Sequence, residues 1–367
     1  YNARLVDAGF RIALTRSDAA ADEWASLATT SGIREQYLEK HDGFDGPSVV
    51  NYLLRDPTNP YSVISMVRSA RENARHVRSS LTRDVWEAIN NCWMTLQGQL
   101  ARQIRDLELP EVLDVIRKQS AQVRGALHGT MLRNDIYNFA RLGTFLERAD
   151  NTARILDVKY YVLLPSASFV GTSLDNVQWE TILRSVSAEG AYRWAHGVDI
   201  RPREVADFLI LDNRQPRSLA FSCRKLASNV GFLNRQYGTT TPSNDMAEAL
   251  ANRLRDTSID EIFEGGLHEF ILDFLGENAV HEEVPHYLIA AGGRLPRPVR
   301  IGGGLPAGLV RKLIARPLER PRRVALHVVD VRQSLHRLEG LVTILQHIRR
   351  LSDGVAEKLA GQIHRRP

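Results

Sequence analysis

Apolar residues recur along this chain at spacings of three and four, and strict alternation is scarce. That period belongs to helices with one buried stripe, not to strands. Helices are expected over residues 60–80, 83–106, 110–127, 135–163, 179–196, 216–236 and 245–255. Asn59-Pro60 reads as an N-cap followed by proline at the first helical position, where its missing N–H costs nothing, and Gln215-Pro216 repeats the proline. Gly/Pro/Ser clusters at 42–48, 165–173 and 238–243 read as connections. The predicted fold class is all-α, a helical bundle.

Comparing the chain with itself gives a second pattern at offsets of 150, 155 and 156 residues. Ala3, Arg4 and Asp7 match Ala153, Arg154 and Asp157; Trp24 and Tyr37 match Trp179 and Tyr192. Leu53, Asp56, Pro60, Ser62, Arg68 and Asn73 match Leu209, Asp212, Pro216, Ser218, Arg224 and Asn229. Collinear matches over a domain-sized period predict two tandem related units, residues 1–165 and 166–280, packed as one body. Residues 281–367 differ in kind, with 14 Arg against 2 Lys and no Asn, Phe, Trp, Met or Cys. Two readings of this stretch stand side by side. One is a flexible basic extension ending in an amphipathic helix; the other is an out-of-frame translation of GC-rich DNA, which produces the same bias.

Charge changes the picture only locally. The final 87 residues carry a net +9, whereas the first 280 hold 32 basic against 36 acidic residues. The overall pI of about 9.3 is therefore no argument for a nucleic-acid partner. No run approaches the roughly 18 apolar residues of a membrane helix. Two cysteines, Cys92 and Cys223, are too few for a disulfide framework and suit a reducing compartment, so a cytoplasmic protein is expected. The chain opens Tyr1-Asn2-Ala3-Arg4 without Met, which reads as a fragment.

Candidate chemistry concentrates in residues 141–157, Arg-Leu-Gly-Thr-Phe-Leu-Glu-Arg-Ala-Asp-Asn-Thr-Ala-Arg-Ile-Leu-Asp. On a helix, Phe139, Leu142, Leu146, Ala149, Ala153 and Leu156 form a core-facing stripe. Opposite lie Ala140, Gly143, Glu147, Asn151 and Arg154, where small residues permit close approach to ionisable ones. This second stripe reads either as a cleft wall or as an exposed face carrying an Asp150–Arg154 pair. If it is a wall, Glu147 and Arg154 should share one inward polar cluster with an arginine from the Arg68 or Arg224 helix. Arg68, Arg71, Glu72 and Asn73, with Arg224 and Asn229 at equivalent places, form a second candidate surface, since guanidinium forks suit carboxylates and phosphates.

The 141–157 stretch resembles the signature of the bacterial alpha-E domain family. Three other segments agree: Asp56-Pro-Thr-Asn59-Pro60-x-Ser62, Arg68-x-Ala-Arg71-Glu72-Asn73-Ala-Arg75 with Trp86-Glu87, and Ile262-Phe263-Glu264-x-Gly266-Leu267-His268-Glu269-Phe270. The resemblance covers about residues 1–280 and leaves the remainder unmatched. It implies a helical domain found beside ATP-grasp ligases and transglutaminase-like proteins, serving a peptide-forming or peptide-modifying system. It also implies an earlier copy of the glutamate motif before Tyr1.

Three functional readings follow. In one, the chain is an accessory protein that binds a peptide or such a partner through the Glu147 surface, with Arg141, Arg148, Asn151 and Arg154, and the Arg68/Arg224 surfaces. In another it is an enzyme, with Glu147 as general acid or base, its pKa raised by burial, and Arg148 or Arg154 holding a substrate carboxylate. The third is a structural scaffold. No cofactor or metal is expected, because Glu264 and His268 stand four apart around two glycines and not in a Glu-x-x-His pattern. Deleting residues 281–367 should leave the thermal midpoint of the remaining chain nearly unchanged, read by scanning calorimetry on both forms.

Overall fold

The structure is a computed structural model that describes residues 1–14, 20–163, 173–238 and 242–281; the expected basic extension lies outside the described residues from residue 282 onward. The described residues form fifteen α-helices and no strand. In chain order these are α1 (Asn2–Ala13), α2 (Ala20–Thr30), α3 (Arg34–Leu38), α4 (Gly46–Leu54), α5 (Val63–His76), α6 (Arg83–Gln99) and α7 (Leu109–Thr130). The long α8 (Asp135–Leu163) follows. Then come α9 (Ser173–Ser185), α10 (Glu189–His196), α11 (Pro202–Ile210), α12 (Leu219–Tyr237), α13 (Pro242–Asp256), α14 (Ile259–Gly265) and α15 (Leu267–His281). Among them none is long and apolar enough to cross a membrane.

Local chemistry corrects several expected boundaries. The true N-cap of α5 is Ser62, whose hydroxyl accepts from Ser65 N, and that of α12 is Ser218, which accepts from Phe221 N. Asn59 belongs to the turn before α5: its side chain accepts from Tyr61 N at 2.8 Å and donates to Tyr52 O at 2.8 Å. A serine three residues later offers the better cap geometry, so the prolines precede the helices instead of opening them. The helix expected over 179–196 is broken at Ser187, which adopts φ +56°. There Ser187 N donates to Arg184 O and Ala188 N to Leu183 O, the paired bonds that close a helix through a left-handed residue.

That closure occurs twice. Gly32, at φ +72°, donates to Thr29 O, and Ile33 N to Ala28 O, 155 residues earlier. Other bonds recur at the matching offsets. Tyr37 Oη donates to Gly43 O and Tyr192 Oη to Asp199 O; Tyr37 stacks on His41 and Tyr192 on His196. Asn2 Nδ2 donates to Tyr61 O, and Thr152 Oγ1 to Arg217 O. Across the two stretches the contacts are reciprocal. Arg4 on α1 caps the end of α9 through Ser185 O at 2.6 Å, while Arg154 on α8 caps the end of α2 through Thr30 O at 2.8 Å. A cation at a helix C-terminus meets carbonyls that lack an internal partner.

Burial explains the central place of α8. Its first turns put Phe139, Leu142 and Leu146 against Leu226, Val230 and Leu233 of α12 and Ala247 of α13. Further along, Ala149, Ala153, Ile155 and Leu156 enter the main core, which runs continuously from Leu5, Leu27 and Tyr37 to Trp179, Tyr192 and Leu209. The opposite stripe is not solvated either: Ala140 and Asn151 are at most 1 % exposed. Asp150 and Arg154 do pair, at 2.9 Å, but inside the body.

Ser62→Ala and Ser218→Ala are each expected to lower unfolding free energy by about 1 kcal/mol, since each removes one N-cap. Urea denaturation of the two variants measures this; an unchanged midpoint in either would show that the hydroxyl is not the cap.

A candidate anion-binding cavity

The stripe of Gly143, Glu147 and Asn151 on α8 faces a cavity of about 120 Å³ bordered by α1, α5, α6, α7 and the turn before α12. One wall is apolar, made by Val63, Met66, Val67, Cys92, Leu96 and Ile116. The other carries charge. Arg4, Arg117, Arg124, Arg148 and Arg217 all line it, against one carboxylate, Glu147.

Each cation reaches the cavity for a structural reason. Arg117 and Arg124 stand seven residues apart on α7, two turns along one face, and Arg124 is steadied by Ser120 Oγ at 2.6 Å. Arg148 donates to Pro216 O at 2.9 Å, and Thr152 one turn on donates to Arg217 O at 2.8 Å. These two bonds fix the backbone of residues 216–217 against α8, which carries the Arg217 side chain to the cavity.

Charge is poorly balanced here. Arg117 lies 3.4 Å from Asp7, which also holds Arg11. Glu147 lies 3.0 Å from the amino group of Tyr1. Arg217 has no hydrogen bond or ion pair to its guanidinium among the described residues. Burial, followed by repulsion from Arg4 and Arg124 against the pull of Glu147, lowers the Arg217 pKa to about 9. Burial likewise lowers Arg4 and Arg148 to about 10, with neighbouring arginines adding to the shift. All three stay protonated at neutral pH, so the fold holds unrelieved positive charge around a small space.

Two buried polar atoms at the same cavity lack partners. Asn151 is 1 % exposed, and its Nδ2 makes no hydrogen bond; Asn2 is 2 % exposed, and its Oδ1 makes none. A buried amide donor left unmade costs about 1–3 kcal/mol, which a ligand oxygen would recover.

The sequence expectations divide at this point. Glu147, Arg148 and Asn151 meet at the cavity. Arg154 does not join them, because it lies two turns from Glu147, about 10 Å along the helix, and bonds Asp150 and Thr30. Nor do the Arg68 and Arg224 helices supply an arginine to Glu147: Arg68 lies over the Trp93 ring and Arg224 over Phe221, both exposed. Arg71 donates to Asn90 at 2.7 Å, Glu72 is exposed, Asn73 is partly buried on α5, and Asn229 donates to Lys225 O. Arg141 covers the Phe145 ring at 4.3 Å. The expected rise in the Glu147 pKa is reversed. Burial alone would raise it, but the Tyr1 amino group, Arg217 and Arg124 together hold it below the ordinary value. His268 is bound by Asp157, Nδ1 to Oδ1 at 2.7 Å. Burial pushes the Cys92 thiol up to about 12, so it is a packing residue at the cavity wall.

Sequence reasoning missed Arg4, Arg117, Arg124 and Arg217. The i, i+7 spacing of the α7 pair was available as a signal, and Arg4 was visible as the counterpart of Arg154. Arg217 gave none, since its direction depends on two bonds from α8.

Replacing Arg217 by Met should raise unfolding free energy, within the range of about 1–4 kcal/mol seen when buried charge gives way to apolar packing. The gain should shrink when sulfate or phosphate is added, because anions relieve the repulsion only in the unsubstituted chain. Chemical denaturation at low and high anion concentration reads both effects.

A family model described as a predicted alpha-helical domain with a conserved ER motif matches residues 1–286. Within that stretch Glu147-Arg148 is the only Glu-Arg step. No curated protein and no solved structure matches the chain. With more than three quarters of its length matched, and its Glu-Arg step on the cavity wall, the chain belongs to the Alpha-E family.

Proposed function

We propose that this chain is an accessory binding module that holds a carboxylate of a peptide for a partner of the ATP-grasp ligase or transglutaminase-like kind, in a peptide-forming or peptide-modifying system. One observation carries the reading: an unpaired, 1 % exposed Asn151 amide and an unpaired Arg217 guanidinium line one cavity with four further arginines. Carboxylates accept from such donors at short range, and charge assistance makes those bonds roughly twice as strong as neutral ones. The partner assignment is supported by the family resemblance alone. The two thiols without a disulfide suit the cytoplasm as the site of action.

Size narrows the ligand. A cavity of about 150 Å³ admits a benzene-sized group, so this one takes the end of a side chain or of a peptide and not a whole peptide. The apolar wall would receive the methylenes next to the carboxylate.

Calorimetric titration with N-acetylglycine tests this. Binding in the millimolar range or tighter is expected, with none for N-acetylglycinamide, which lacks the carboxylate. Asn151→Asp and Arg217→Met should each weaken it at least about tenfold, equivalent to about 1.4 kcal/mol. Equal binding of the amide, or full affinity in both variants, would overturn the proposal.

A further inference from the structure

Next to the cavity, α8 and α12 share an aromatic pair, Phe145 and Phe221, with ring centroids 6.2 Å apart. Cations cover both rings. Arg141 and Arg148 lie 4.3 and 5.4 Å from the Phe145 centroid, and Arg224 and Lys225 lie 5.4 and 5.6 Å from that of Phe221. Arg148 belongs to this shelf and to the cavity wall, so the two are continuous.

On this shelf four cations gather over two adjoining rings. Some exposed arginines meet carboxylates, as in Arg83 with Glu87 and Arg184 with Glu180 and Glu189, and others such as Arg34, Arg68 and Arg78 lie singly over one ring each. Among the described residues none of the four shelf cations has an ion pair, and only backbone carbonyls receive bonds from them: Pro216 O from Arg148 and Asn213 O from Arg224. The rings hold the cations in place, since a guanidinium is attracted to an aromatic face within about 6 Å. Held cations without counter-charges form a standing positive field that draws anions toward the cavity.

We infer that the ligand is an acidic peptide whose first carboxylate enters the cavity and whose next acidic side chain lies on the shelf made by Arg141, Arg148, Arg224 and Lys225. This rests on the cavity being a carboxylate site. Arg148 lines the cavity and lies 5.4 Å from the Phe145 centroid, so a peptide anchored in the cavity passes directly onto the shelf. A nucleic acid matches the charge but not the cavity, whose apolar wall suits a methylene arm and whose size excludes a phosphodiester with sugars on both sides.

The test titrates the full chain with acetyl-Ala-Ala-Glu, acetyl-Glu-Glu-Glu and a ten-residue oligothymidylate. The tri-glutamate should bind about tenfold tighter or more at low salt, and the advantage should fall as salt shortens the Debye length to about 3 Å near 1 M. The double variant Arg224→Gln/Lys225→Gln, at surface positions outside the cavity, should lose that advantage while keeping the wild-type affinity for acetyl-Ala-Ala-Glu. Equal affinities for the two peptides, an advantage that survives the double variant, or tighter binding of the oligonucleotide would each overturn the inference and leave the cavity reading standing. Failure of acetyl-Ala-Ala-Glu to bind would overturn both.

Discussion

A helix of 29 residues buried on most of its length has to find a partner for every polar side chain it carries inward, and α8 is such a helix. Its apolar residues serve two cores. Its polar ones are distributed turn by turn to different neighbours: Thr144 to its own helix backbone, Arg148 and Thr152 to the turn before α12, Asp150 and Arg154 to each other and the end of α2, Asp157 to His268 of α15. Buried polar groups are tolerated only when bonded, so these contacts fix how α2, α12 and α15 sit around α8. Among the described side chains of that helix Asn151 is left with an unmet donor, and it lines the cavity.

The same arrangement concentrates positive charge. Arginines from α1, α7, α8 and the 216–217 turn converge because each is placed by packing needs of its own element. Their mutual repulsion is the opposite of what stability alone would select. Sites that act on ligands commonly carry such local conflict, because a binding surface complements something outside the fold. A charge excess focused into a small, partly apolar space is the electrostatic complement of a carboxylate on a short aliphatic arm.

The recurring hydrogen bonds at offsets of 155 and 156 residues give this asymmetry a frame. Around α12 and α13 the neighbouring side of α8 is filled by Leu226, Val230, Leu233 and Ala247. Around α5, α6 and α7 the space beside α8 is bordered by Val63, Met66, Leu96 and Ile116 and stays open as the cavity. The shelf of Phe145 and Phe221 lies where the α8–α12 contact meets that cavity, and Arg148 belongs to both.

Much of this was legible in residue order. Helical periodicity, the 135–163 helix with its core stripe, and the Glu147-Arg148-Ala-Asp150-Asn151 motif are local properties, set by side-chain spacing on a 3.6-residue turn. The motif therefore pointed to Glu147, Arg148 and Asn151 as neighbours of one space. Spacing could not choose where Arg154 would go, because a residue two turns along the same stripe meets another neighbour. Nor could it separate Ser62 from Asn59 as a cap, since both are good cap residues and only the path of the preceding turn decides between them. Arg217 lay furthest from view. Its position depends on bonds from Arg148 and Thr152, 69 and 65 residues away in sequence, and a contact of that range exists only once tertiary packing has brought the backbone of the turn against α8.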